Sequence, residues 1–321
     1  MGVRKEQFVS ALEHRVPSRH VPLWELHFHL WNAFCGGGFV SGREYQKLSA
    51  AERDRALRDD ARIMIDVADR LGFSGVTIPD APWDCVYTLP PEDRLALAAC
   101  LRAESPDFLI TAGCGGVMAI PDSPEYVEFC YRLVDAPDEV EEQCEARLQK
   151  GLESLRRYAD CGIEAAYVAA DMADNRGPFF SDAQMDRFIL PYLARWAEGA
   201  RKAGIYPILH TDGNITSLLA DLASTGICGI QALDPVAGMD IRRVKAAMER
   251  RLCLCGNVDC GALILSTPQR LYELTRELLL SCKPGGCFVL GASNAVVDTT
   301  PKENYEAVVR AWRDHGSYRS A

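Results

Sequence analysis

The sequence predicts an α/β fold, a (β/α)8 barrel of the TIM type. Three observations lead there. Eight short apolar runs alternate with helix-patterned stretches; polar residues gather where those runs end; and 321 residues at 48% hydrophobic content suffice for one large core. The expected organisation is a single barrel domain over 1–321, with a short N-terminal helix and a lid at 34–50. A doubly wound sheet is the competing arrangement. The barrel is favoured because the strand count closes at eight.

The elements follow in order. "MGVRKEQFVSALEHR" is amphipathic and reads as a helix rather than a signal peptide, and Glu6 stands where a myristoylated chain carries Ser or Thr. Strands are expected at 21–28 (VPLWELHF), 75–79 (GVTIP), 108–112 (FLITA) and 165–170 (AAYVAA). Four more follow at 205–209 (IYPIL), 229–233 (GIQAL), 252–256 (LCLCG) and 287–291 (CFVLG). Helices are expected at 52–71, 138–161, 181–203, 268–281 and 302–315. "FCGGGF" at 34–39 lacks the lysine of a phosphate-binding loop, so its three glycines point to a lid over the barrel mouth.

Bulk composition excludes several functions. A formal net charge of −10 disfavours nucleic acid as a partner. The charges are interspersed along helices, as on solvated faces. No apolar run reaches membrane-spanning length. Thirteen cysteines without a C-x-x-C pair suggest reduced thiols in a cytoplasmic protein. Homo-oligomerisation stays open.

Barrel enzymes work at the C-terminal ends of their strands. There the sequence places Glu25, His27 and His29 on strand one, Asp80 after strand two and Asp171 after strand four. Strand five exits through His210 and Asp212, with Asn214 beyond; strand six ends at Asp234, strand seven at Asn257, strand eight at Ser293 and Asn294. Two-residue alternation puts Glu25, His27 and His29 on one face of their strand. One cavity is therefore expected to collect Glu25, His27, His29, His210 and Asp212.

Each group has a structural reading as well. Asp212 could cap the next helix, leaving His210 as a core residue. Asp259 could cap the helix near Ala262, Cys260 could be a buried thiol, and Ser293 and Asn294 ordinary turn residues. Cys253 and Cys255 read as packing. So many titratable groups in a barrel interior favour function. His210 and Asp212 suit a metal site or a carboxylate-oriented acid/base pair, with Cys260 as a further candidate ligand.

"ILHTDGNI", "LDPVAGMDIRRVK", "LCLCGNVDCGALI", "ASNAVVDTTPKENYEAVV" and "ADMADNRGPFFSDAQMDRFILPYLARW" together resemble the uroporphyrinogen decarboxylase superfamily, from about residue 20 onward. The resemblance implies a (β/α)8 barrel and one of two chemistries. The decarboxylases hold a tetrapyrrole's carboxylates with arginines of a strand-one M-R-Q-A-G-R motif, and use a catalytic aspartate. Here Asp80 matches that aspartate, but the strand-one stretch is Leu26-His27-Phe28-His29-Leu30, with no arginine between Arg19 and Arg43. The methyltransferase branch exchanges methyl groups with a corrinoid, and some members bind zinc through H-x-C after strand five and a cysteine after strand eight. This chain has His210-Thr211-Asp212 and Asn294 at those places, a harder ligand set suited to oxygen chemistry.

The resemblance thus implies a corrinoid-dependent methyltransferase acting between a small-molecule methyl donor or acceptor and a cobalamin. Its catalytic candidates are His210, Asp212, Asp171, Asp80 and Glu25. Its substrate-binding candidates are His27, His29, Asn214, Asn257, Ser293 and Asn294. Zinc would take His210 and Asp212, with Cys260. No D-x-H-x-x-G corrinoid signature occurs, so the cobalamin is expected free or on a partner corrinoid protein. A decarboxylase or lyase acting on a smaller carboxylic acid is the alternative.

Overall fold

The computed structural model describes residues 2–80, 87–104, 106–121 and 124–318. Seven parallel strands run side by side in chain order. They are β2 (Gly75–Thr77), β3 (Leu109–Gly113), β4 (Ala165–Ala169), β5 (Tyr206–Thr211), β6 (Gly229–Ala232), β7 (Cys253–Cys255) and β8 (Phe288–Val289). Register is continuous: Thr111 lies opposite Ala165, Val168 opposite Leu209, Ile230 opposite Leu254, and Leu254 opposite Phe288.

The stretch before and through β1 (His27–Phe28) closes the ring. Leu23 O accepts from Ser74 N at 2.8 Å on one edge, and Trp24 N donates to Leu290 O at 3.0 Å on the other. Further up, β1 pairs in parallel with Ala295–Val296. The fold is the expected (β/α)8 barrel.

Both strand faces are apolar because both are covered. Ile110, Val168, Leu209, Ile230 and Leu254 point to the helix layer. Leu109, Ala165, Ile208, Cys253, Cys255 and Val289 point inward, where the first helix, Val3–Leu12, inserts Phe8, Val9 and Leu12 against them. A Cβ on Gly75 would lie 2.4 Å from the Phe8 ring, so the glycine makes room for this plug.

The long helices Ala50–Leu71, Pro137–Cys161, Pro268–Cys282 and Lys302–His315 match the expected spans within a few residues. The stretch expected as one helix at 181–203 is interrupted. A π turn at Met185–Ile189 precedes the regular helix Leu190–Lys202, because Pro191 offers no N–H to the turn before it.

The 34–50 segment is more structured than a run of glycines suggested. Short helices Trp31–Cys35 and Gly42–Gln46 flank its three glycines. Asn32 clamps Phe39 from both sides: its Oδ1 accepts from Phe39 N and its Nδ2 donates to Phe39 O, each at 2.9 Å. Val40 N donates to buried Asp60, and Phe39 stacks on Trp31 and Tyr87. The twelve described cysteines are all free thiols, and no helix among the described residues is long and apolar enough to cross a membrane.

Candidate active site

β5 carries the centre of the site. Strand alternation turns Ile208 and His210 inward, and the chain leaves the strand through Thr211 to Asp212 at the C-terminal mouth. The end of β4 supplies Asp171, whose Oδ1 accepts from Asp212 N at 2.8 Å. One ligand atom each from Asp171, His210 and Asp212 lies within 4.8 Å of the others. Asn294, beyond β8, donates to Asp212 Oδ2 at 2.8 Å, while the buried Oδ1 of Asp212 has no hydrogen-bond partner among the described residues. Burial raises the Asp212 pKa, offset in part by His210 and reinforced by Asp171 and Asp234. A solvent-open cavity of about 410 Å³ stands over Asp171 and Asp212, walled by the hairpin of Ala173–Asp174 and Gly177–Pro178.

His210 is oriented from behind. Its Nδ1 lies 2.5 Å from Gln231 Oε1, and the Gln231 amide nitrogen reaches Ala292 O at 3.2 Å and Ser293 O at 3.4 Å. Its Nε2 faces Asp212 Oδ2 at 4.0 Å.

A second group sits deeper, beneath the same mouth. Asp80 accepts from Tyr167 Oη at 2.8 Å and from Gly113 N. Burial pushes its carboxyl up to about 6, against the lowering effects of the Tyr167 hydroxyl and the Arg94 charge. His27 approaches Tyr167 Oη at 3.1 Å and Asp80 at 3.7 Å. Burial, with His29, His210 and Arg94 nearby, lowers His27 to about 3, so it is neutral at ordinary pH. His29 stacks on Tyr87 with ring centroids 3.9 Å apart. Tyr167 borders both groups, its ring lying edge-on to His27 and to His210.

Glu25 does not join them. The chain bends at Leu26, so strict alternation fails there. Trp24 and Leu26 pack in the barrel interior, His27 turns to Asp80, and Glu25 turns outward to the last helix. It accepts from Tyr305 Oη at 2.8 Å and from Ala292 N at 2.7 Å, and burial holds its carboxyl up at about 8. The expected shared face of Glu25, His27 and His29 is therefore corrected: the bend splits it.

Several other expected residues bond to the surrounding backbone. Asn214 Oδ1 accepts from Thr216 N and caps the following turn, a task one alternative had given to Asp212. Asn257 donates to Leu233 O at 2.6 Å, and Asp259 caps the helix Cys260–Leu265. Cys260 lies outside the three-residue cluster. Its thiol contacts Ala295 O and Ser293 Oγ, and burial pushes it up to about 11, which disfavours a thiolate ligand. Sequence reasoning missed Tyr167, Gln231 and Arg94. For the first two a signal existed: each is a polar residue at an inward position of an otherwise apolar strand.

A family model described as uroporphyrinogen decarboxylase matches residues 122–315, more than half of the sequence. The chain belongs to the uroporphyrinogen decarboxylase family. Curated relatives include a uroporphyrinogen decarboxylase of Chloroherpeton thalassium, 26% identical over 85% of this chain and 71% of that protein. One from Azoarcus sp. is 27% identical, the match spanning 51% of this chain and 45% of the relative. Among solved structures, a methyltransferase from Methanosarcina mazei superposes with a TM-score of 0.72 over 98% of this chain and 99% of that one, at 17% identity. That likeness is one of fold. This member of the uroporphyrinogen decarboxylase family carries a buried aspartate after β2 and a histidine–aspartate exit from β5.

Proposed function

We propose that this family member is a corrinoid-dependent methyltransferase, moving a methyl group between a small molecule and a cobalamin that arrives free or on a partner protein. The observation carrying the reading is the convergence of Asp171, His210 and Asp212 at the open mouth of the barrel. The cluster fits a divalent cation such as zinc. It offers one imidazole nitrogen and two carboxylates, and the orphaned Oδ1 of Asp212 wants a positive partner. A bound ion would act as a Lewis acid toward the atom that holds or receives the methyl group. One nitrogen and two oxygens favour an oxygen-bearing substrate over a thiolate.

The chain's own residues do the rest. Asn294 fixes the Asp212 carboxylate, and the Asp171 carboxylate steadies the backbone at Asp212. Asp80, close to 6, can exchange a proton through Tyr167 with a group leaving above it. The open mouth leaves room for a large methyl carrier to approach from solvent.

The test mixes the purified protein with methylcob(III)alamin, or with reduced cob(I)alamin, plus methoxylated, methylamine-type and pterin-type substrates. Visible spectra should show the methyl–cobalt bond made or broken. Efficient release of carbon dioxide from uroporphyrinogen would sink the reading.

A second reading, decarboxylation of a smaller acid, draws support from the buried Asp80–Tyr167–His27 group. Carbon dioxide release from small carboxylic acids, abolished by Asp80→Asn, would favour it.

A further inference from the structure

We propose that Gln231 is a positioning residue that fixes which nitrogen of His210 carries the proton, so that Nε2 meets Asp171 and Asp212 as a bare lone pair. The proposal rests on reading those three side chains as cation ligands.

The argument begins with two carbonyls. Ala292 O and Ser293 O can only accept, and both face the same end of the Gln231 side chain, at 3.2 and 3.4 Å. That end must be the amide nitrogen, since the reverse orientation would set three oxygens against one another. The amide oxygen therefore faces His210 Nδ1 at 2.5 Å. Oε1 can only accept, so Nδ1 must carry the hydrogen. In a neutral imidazole the other nitrogen is then unprotonated, and it points toward Asp212 Oδ2 at 4.0 Å. Gln231 is 2% exposed, so no solvent competes for its oxygen.

The device spans the barrel. β6 supplies the amide, the exit of β8 supplies the two carbonyls, and β5 supplies the imidazole. The same β8 exit also holds Asp212 through Asn294. One short segment, 292–294, thereby sets both the tautomer of His210 and the rotamer of Asp212. A ligating histidine commonly donates its second nitrogen to such a partner, and loss of the partner typically weakens metal affinity by 10–100-fold.

The experiment is long-range ¹⁵N–¹H correlation on protein labelled at its six histidines, held metal-free at about pH 8, with His210→Ala identifying the signal. Wild type should show the proton on Nδ1 of His210. Gln231→Leu should move it to Nε2 and weaken Zn²⁺ binding, titrated with the metal alone, by roughly 10–100-fold. A wild-type spectrum with the proton on Nε2 overturns the proposal, and so does a Gln231→Leu protein that keeps it on Nδ1. The wild-type spectrum decides even if Gln231→Leu fails to fold. A proton on Nδ1 in a wild-type protein that binds no zinc supports the lock while removing the cation reading.

Discussion

Tyr167 Oη stands between Asp80 Oδ1, at 2.8 Å, and His27 Nε2, at 3.1 Å, while its ring lies edge-on to His210 with centroids 6.4 Å apart. One phenol therefore borders both polar groups of the barrel.

Removing that hydroxyl should affect both. Tyr167→Phe leaves a buried carboxylate short of a donor, at a cost of about 1–3 kcal/mol of stability. The Tyr167 hydroxyl lowers the Asp80 pKa from what burial alone would give. Its loss should move an acid limb near pH 6 upward in a pH–rate profile of methyl exchange. Thermal unfolding and that profile check the two halves; an unmoved limb would separate Asp80 from the chemistry.

Metal content should follow the cluster at the mouth. His210→Ala and Asp212→Ala should each cut bound zinc at least tenfold by elemental analysis, whereas Cys260→Ser should leave it unchanged. Affinity should fall as the solution is acidified, because protons compete for the carboxylates and the imidazole. Equal metal in wild type and His210→Ala would remove His210 from the ligand set.

Glu25 predicts a pH dependence of a different origin. Its carboxyl ionises near 4.5 when exposed and near 8 when buried in the fold. Between those values the folded chain holds a proton that the unfolded chain has released. Its contribution to stability therefore falls as pH rises through the window, then levels off above about 8. Glu25→Gln should flatten this trend by up to ~1.4 kcal/mol per pH unit and leave the variant more stable than wild type at pH 9. Urea denaturation across pH 4–9 measures it.

The glycine-rich segment should loosen without Asn32. Asn32→Ala removes both hydrogen bonds to Phe39, each contributing about 1 kcal/mol. Limited proteolysis should then cut within 35–41 faster than in wild type, with little change in global unfolding.

The barrel was legible because each strand is a short apolar run with a polar residue at its exit, a pattern that survives any detail of packing. His210, Asp212, Asp171 and Asn294 were legible for the same reason, and the structure brings all four together. Glu25 was misplaced because alternation assumes an unbroken strand, and the bend at Leu26 leaves no mark in the residue types around it. Asn214 and Asn257 stand at the right strand ends, yet their amides serve the backbone, a choice that local geometry makes. Tyr167 and Gln231 were overlooked as members of apolar runs, although their inward parity could have revealed them.

The seam that closes the ring joins Pro22 and Trp24 to Leu290, and Glu25 to Ala292 and Tyr305. A growing chain releases residues 22–28 from the ribosome long before their partners near 290 and 305 are made. At translation speeds of about 5–20 residues per second, the far edge of the first strand waits more than ten seconds for its β8-side partner. Contacts so distant in sequence also make closure the slow event of refolding. Until then the incomplete barrel presents two open strand edges, one at the first strand, whose other side meets Ser74, and one at whichever strand was made last. Its exposure to aggregation is greatest during synthesis, and chaperones would find their natural target there.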